Sequence, residues 1–76
     1  MVQREQIRMA RAALNWGVRD LAAKTGLANN TISRFENGSD TMAGTLQKIQ
    51  KVLEAEGIDF PDEFTVSIRR MKEKAE

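Results

Sequence analysis

The most informative stretch of the sequence is LAAKTGLANNTISRFENG, residues 21–38. Its first part predicts a short helix over about residues 18–25, in which Leu21 and Ala22 continue an apolar stripe with helical spacing. Gly26 should end this helix, because glycine readily adopts the left-handed backbone conformation found just past a helix.

The second part of the stretch predicts another short helix, over about residues 29–37. Ile32 and Phe35 lie three positions apart and should both point into the core. The pair Asn37-Gly38 is a stop signal. The outward face then carries amides, a hydroxyl and a guanidinium, and few plain solubilising charges. Its members are Asn29, Asn30, Ser33, Arg34 and Asn37.

Ala22, Gly26 and Ile32 stand at the offsets of a helix-turn-helix pattern, which covers about residues 18–37. Two helices that cross steeply need a small residue where they touch, and Ala22 supplies it. The turn needs a residue that accepts positive φ, and the second helix needs an aliphatic anchor further on. With these anchors inside, the outer face of the second helix is free to enter a DNA major groove about 12 Å wide.

Two further helices complete the expected core. Apolar residues at helical spacing predict a first helix over about residues 2–15 and a fourth over about residues 42–56. Asp40 or Thr41 should cap the start of the fourth helix, and Gly57 should end it. The predicted fold class is therefore mainly α, a compact bundle of four or five helices.

The C-terminal part of the chain fits two structures. Alternating apolar and polar residues favour a short β-hairpin that pairs residues 58–60 with residues 64–70. The apolar residues also fit helical spacing, with Pro61 as a suitable start, so a fifth helix stays open. We therefore divide the chain into a helix-turn-helix domain, residues 1–57, and an extension, residues 58–76, that frays from about Lys72.

The extension is also the best candidate for self-association. Its apolar residues exceed what a bundle of this size can cover, so we expect a homodimer through residues 58–71. The expected dimer contacts are Phe60, Phe64, Val66 and Ile68.

The composition narrows the possible functions. The chain has 76 residues, enough for one domain, and contains no cysteine and no histidine. The absence of cysteine excludes disulfides and thiolate metal sites. The absence of histidine removes the commonest metal ligand and the commonest general base. We expect no cofactor, no metal and no enzymatic activity. No apolar run is long enough to cross a bilayer, so the sequence predicts a small cytoplasmic binding module without a membrane partner.

The charges are divided unevenly along the chain. Residues 1–38 contain six basic and three acidic residues, whereas residues 39–76 contain six basic and eight acidic ones. A basic half beside an acidic half points to a polyanionic partner, although ordinary solvated charge explains it equally well.

The sequence resembles the lambda-repressor/Cro-type (XRE) helix-turn-helix domain. Residues 21–27 and 31–38 carry the resemblance, which extends over about residues 4–58. It implies a bundle of four or five helices whose third helix binds double-stranded operator DNA. It also implies a sequence-specific transcriptional regulator, such as a repressor, that binds a palindromic operator as a homodimer.

The resemblance further implies which residues touch DNA. Base contacts carried over by position fall on Asn29, Asn30 and Arg34, and a phosphate-clamping turn falls on Asn37 and Gly38. Asparagine can pair with adenine, and arginine with guanine. Simpler interpretations stay open: the two asparagines cap the helix, or Arg34 is a solvated arginine or a phosphate contact. The full expected set is Asn29, Asn30, Thr31, Ser33, Arg34 and Asn37.

Two other features have a structural interpretation. Arg11 and Glu36 resemble a partly buried ion pair of the family that ties the first helix to the end of the third. Trp16 is the only tryptophan, and its place in a turn favours a packing lid over a platform for stacked bases.

The chain departs from the family's pattern at positions that usually contact phosphates or cap helices. Gly17 and Val18 stand where Ser or Thr and then Gln are common, and Ala28 stands where Ser or Thr often caps the third helix. Residues 39–44 contain no basic residue. These departures keep an alternative open, a modulator of another regulatory protein, such as an antiactivator or antitoxin, built on a helix-turn-helix scaffold.

Overall fold

The computed structural model describes residues 2–69. Four helices come first and two short strands follow. The elements are α1 (Arg4–Leu14), α2 (Val18–Thr25), α3 (Asn29–Glu36), α4 (Ala43–Ala55), β1 (Ile58–Asp59) and β2 (Ser67–Ile68). The predicted mainly α fold with four helices is confirmed within these residues.

The C-terminal segment forms the hairpin and not a fifth helix. β1 and β2 pair antiparallel, with Ile58 opposite Ile68. The predicted strands, residues 58–60 and 64–70, are longer than the observed ones, judged over the residues described, which end at 69. Residues 60–66 form the connecting loop instead. Residues 70 and 71 of the expected dimer segment, and the end expected to fray from Lys72, lie outside the described residues.

Residues in the left-handed backbone region separate α1, α2 and α3, and Gly26 does so as predicted. Asn15 ends α1 in the left-handed region at φ 59°. Gly26 ends α2 at φ 76°, and its N–H donates to the carbonyl of Ala22. Gly57, at φ 98°, follows α4, as predicted.

The start of α4 differs from the expectation. The residue before the helix is Met42, whose extended backbone places its carbonyl to accept the N–H groups of Thr45 and Leu46. Asp40 or Thr41 as the cap is therefore wrong, because the helix begins one residue too late for Thr41 and two residues too late for Asp40. No side chain of the described residues caps this end.

The core is shared by all four helices and β1. Its fully buried aliphatic residues are Ile7, Leu21, Ile32, Ile49, Leu53 and Ile58. Trp16 packs half-buried against this core, as the lid interpretation predicts, with the Lys24 ammonium 5.9 Å from the centre of its ring. Ile58 lies in the same core as the helices, and the boundary after residue 57 stays a prediction.

The loop between the strands is attached to α1 by a buried amide. Gln6 has no exposed surface. Its Nε2 donates to the carbonyls of Asp62 and Thr65 at 2.6 and 2.9 Å. The Asp62 carboxylate in turn accepts the Phe64 N–H and the Thr65 hydroxyl, and these bonds hold the pKa of Asp62 below its usual range.

This attachment changes the picture of the apolar extension. Phe60, Val66 and Ile68 are partly buried and pack against the core. Phe64 is 72% exposed. The expected open stripe of four apolar residues is therefore wrong for three of them, because the hairpin folds back onto the bundle.

Candidate nucleic-acid interface

The two faces of α3 differ sharply in burial. Ile32, Phe35 and Glu36 are buried, and the polar residues of the opposite side lie at the surface. Asn29, Asn30, Arg34 and Asn37 are exposed, and Thr31 and Ser33 are half-buried. At about 100° per residue, all of these except Thr31 fall within an arc of about 140°. The structure therefore brings five of the six expected residues onto one face, with Thr31 at its flank.

The start of α3 answers the capping question for two of these residues. The cap position is Ala28, with extended φ and ψ of −74° and 146° and no side-chain cap bond. Asn29 and Asn30 are the first two residues inside the helix, so the interpretation of either as the cap is wrong. Among the described residues, neither side-chain amide has a hydrogen-bond partner within the protein, and the Arg34 guanidinium has none. Their donors and acceptors are available to a ligand.

The predicted ion pair is present behind this face. Arg11 donates from Nε to Glu36 Oε2 at 2.8 Å and from Nη2 to Oε1 at 2.6 Å. Its Nη1 donates to the Trp16 carbonyl at 3.1 Å. The hydrogen bonds to Glu36, which is 4% exposed, raise the pKa of Arg11 despite the opposing effect of burial. The pair fixes α1 against the last turn of α3 and so helps to set the orientation of its polar face.

Two more arginines of α1 reach the same end of α3, and sequence reasoning missed them. Arg8 donates from Nη2 to the Glu36 carbonyl and, at 3.4 Å, to Asn37 Oδ1. The Arg4 guanidinium lies over the Phe35 ring, 5.2 Å from its centre. A signal was available, because residues 4, 8 and 11 share one helix face and Arg11 was already assigned to Glu36.

The start of α2 is less open to an anion than the resemblance implies. Asp20 Oδ2 accepts the Gly17 N–H at 2.8 Å. A phosphate at this helix end would meet that carboxylate, and Val18 has no polar side chain to offer. The Asp20 carboxylate and the apolar Val18 therefore both weaken the phosphate contact that the resemblance implies at this position.

Comparisons with known proteins agree with this geometry. A family model described as helix-turn-helix matches residues 7–59. A candidate helix-turn-helix-type transcriptional regulatory protein of Archaeoglobus fulgidus is 37% identical over 49 residues, which are 64% of this chain and 16% of that protein. The match thus spans about a sixth of the relative's length. Within residues 2–69, no helix has the length and apolar character needed to cross a membrane.

Proposed function

The chain belongs to the helix-turn-helix family, as its resemblance to the lambda-repressor/Cro-type domain predicts, and we propose that it is a DNA-binding transcriptional regulator. In this proposal it binds a palindromic operator as a homodimer, with α3 of each copy in the major groove. The observation that supports it most is the exposed polar face of α3, on which the Asn29 and Asn30 amides and the Arg34 guanidinium have no hydrogen-bond partner among the described residues.

The chemistry of that face suits base recognition. The amide of Asn30 can donate to adenine N7 and accept from N6, and the Arg34 guanidinium can donate to guanine O6 and N7. Asn29, at the first turn, faces the same groove. Ile32 and Phe35 hold the opposite face in the core, so the helix can present these groups without reorganising.

The test of the proposal is selection of binding sites from random duplex DNA by the purified full chain. An enriched inverted repeat, with half-site centres about 34 Å apart, supports operator binding by a two-fold dimer. A single enriched half-site would keep DNA recognition and contradict the homodimer. No enrichment would overturn the proposal and favour a modulator of another regulatory protein.

Alanine substitution tests the two central contacts. We expect Asn30→Ala and Arg34→Ala each to weaken binding to the selected duplex by about 1–3 kcal/mol, and to change binding to a random duplex little. Gln47→Ala, an exposed amide on α4, is the matched control and should change neither. Fluorescence anisotropy on both duplexes measures the effect. Equal losses on both would make the contacts phosphate contacts, and no loss on either would remove α3 from DNA binding.

The homodimer is proposed to use the hairpin side of the molecule. Phe64 lies in the loop between β1 and β2 and is the most exposed of the four expected contacts, whereas Phe60, Val66 and Ile68 pack against the core. We expect Phe64→Ser to shift the chain from dimer to monomer in sedimentation equilibrium. Met42→Ser, an equally exposed apolar residue outside the hairpin, should leave the dimer intact. A wild-type chain that sediments as a monomer would contradict this part of the proposal. A chain ending at residue 57 is a poor test, because it lacks the fully buried Ile58.

A further inference from the structure

The turn that follows α3 is surrounded by positive charge from α1. Arg8 donates to the Glu36 carbonyl and to Asn37 Oδ1. A Cβ added to Gly38 would lie 3.3 Å from Arg4 Nη1, so the Arg4 guanidinium is next to the backbone of this turn. The two guanidiniums thus flank residues 36–38, just beyond the polar face of α3.

The charges at this place do not balance. Glu36 is the carboxylate partner of both Arg11, at 2.6 Å, and Arg8, at 3.9 Å. Arg4 has no carboxylate within 4 Å among the described residues. Of the three guanidiniums, two therefore share one carboxylate and the third has none, and that carboxylate is buried behind the turn. Glu5, the acidic neighbour on α1, lies about 100° around the helix from Arg4.

The half-buried Arg4 and the exposed Arg8 both keep donors for a ligand. The Arg4 guanidinium makes a cation–π contact with Phe35 and has no hydrogen bond or ion pair among the described residues, so its N–H groups are available. The Arg8 side chain is 51% exposed and bonds to the turn through Nη2, so Nη1 stays free. Planar N–H pairs of this kind match the oxygens of a phosphodiester.

We propose that Arg4 and Arg8 form a binding site for a DNA backbone phosphate beside the turn at residues 36–38. The site rests on the proposed binding of α3 to DNA, since a duplex that receives α3 in its major groove brings a backbone strand past the end of that helix. It also supplies from α1 the positive charge that residues 39–44 lack. Arg4 and Arg8 then contribute affinity and orientation without reading sequence.

The salt dependence of binding tests the site. The wild-type chain, Arg4→Gln, Arg8→Gln and Lys51→Gln are titrated with the selected duplex and with a random duplex at several salt concentrations. We expect each arginine variant to bind both duplexes more weakly by a similar factor and to reduce the slope of log K against log [salt] by about one. Lys51→Gln removes the same charge from an exposed position on α4 and should keep the wild-type slope. Arginine variants with the slope of Lys51→Gln would overturn the site.

A second measurement uses modified DNA and so does not depend on the variants folding equally well. One methylphosphonate, which is uncharged, is placed in turn at each position along the selected duplex. We expect the wild-type chain to lose affinity when the methylphosphonate stands at a position that flanks the α3 contacts. The affinity of Arg4→Gln should not fall when the methylphosphonate stands at that position. Equal losses for the two proteins at every position would contradict the assignment. A wild-type chain without preference for the selected duplex would instead contradict the proposed function, so the two failures are distinguishable.

Discussion

Replacing Glu36 with alanine is expected to lower the free energy of unfolding by about 3 kcal/mol. The carboxylate accepts two hydrogen bonds from Arg11 and lies 3.9 Å from Arg8 Nε. Its removal leaves the largely buried Arg11 guanidinium with the Trp16 carbonyl as its remaining partner. In a domain of this size the melting temperature should fall by more than about 10 °C. Thermal unfolding followed by circular dichroism measures it.

Two further variants separate charge from shape and position. Glu36→Gln keeps the shape and one acceptor oxygen, so its loss of stability should be smaller than that of Glu36→Ala. Glu5→Ala removes an exposed carboxylate from α1 and should change the melting temperature little. If Glu36→Ala melts like the wild-type chain and yet fails to bind DNA, then Glu36 has a direct role at the interface and the structural interpretation is wrong.

The helix-turn-helix unit was predictable because its signals are local. Gly26 ends α2 at positive φ, a conformation that glycine adopts readily. Ile32 and Phe35 define the buried side of α3 by their spacing alone. The hairpin was favoured by strand periodicity, but its two-residue strands were not. Their length depends on the loop that Gln6 holds. Gln6 contacts Asp62 and Thr65, which lie 56 and 59 positions further along the chain.

The same limit explains what sequence reasoning missed at the candidate site. The polar face of α3 follows from its periodicity, and the Arg11–Glu36 pair follows from the resemblance. Arg4 and Arg8 approach the end of α3 because α1 packs beside it, and that packing is tertiary. The predicted cap of α4 is wrong although residues 40 and 41 both have suitable side chains, because the helix begins at Ala43, directly after Met42.

Gln6 is a polar residue whose structural role could not be recognised from the sequence. Within an apolar helix face it looks like a surface amide, yet it has no exposed surface and makes three hydrogen bonds. Nε2 donates to the Asp62 and Thr65 carbonyls, and Oε1 accepts the Gln3 N–H at 2.8 Å. Because both carbonyls need a donor, only a group with N–H hydrogens on that side satisfies the loop.

Gln6→Glu is therefore expected to destabilise the chain by about 3 kcal/mol at pH 7, although it changes one atom type. The new carboxyl faces two carbonyl oxygens in a buried site, so its pKa in the folded chain is raised above the unfolded value of about 4.3. The folded chain then binds the proton more tightly, and the loss relative to wild type shrinks as pH falls towards about 4.3. Urea unfolding between those two pH values measures it. Gln47→Glu, at an exposed position of α4, should show neither the loss nor the pH dependence. A Gln6→Glu chain as stable as Gln47→Glu at pH 7 would mean that the amide does not hold the loop.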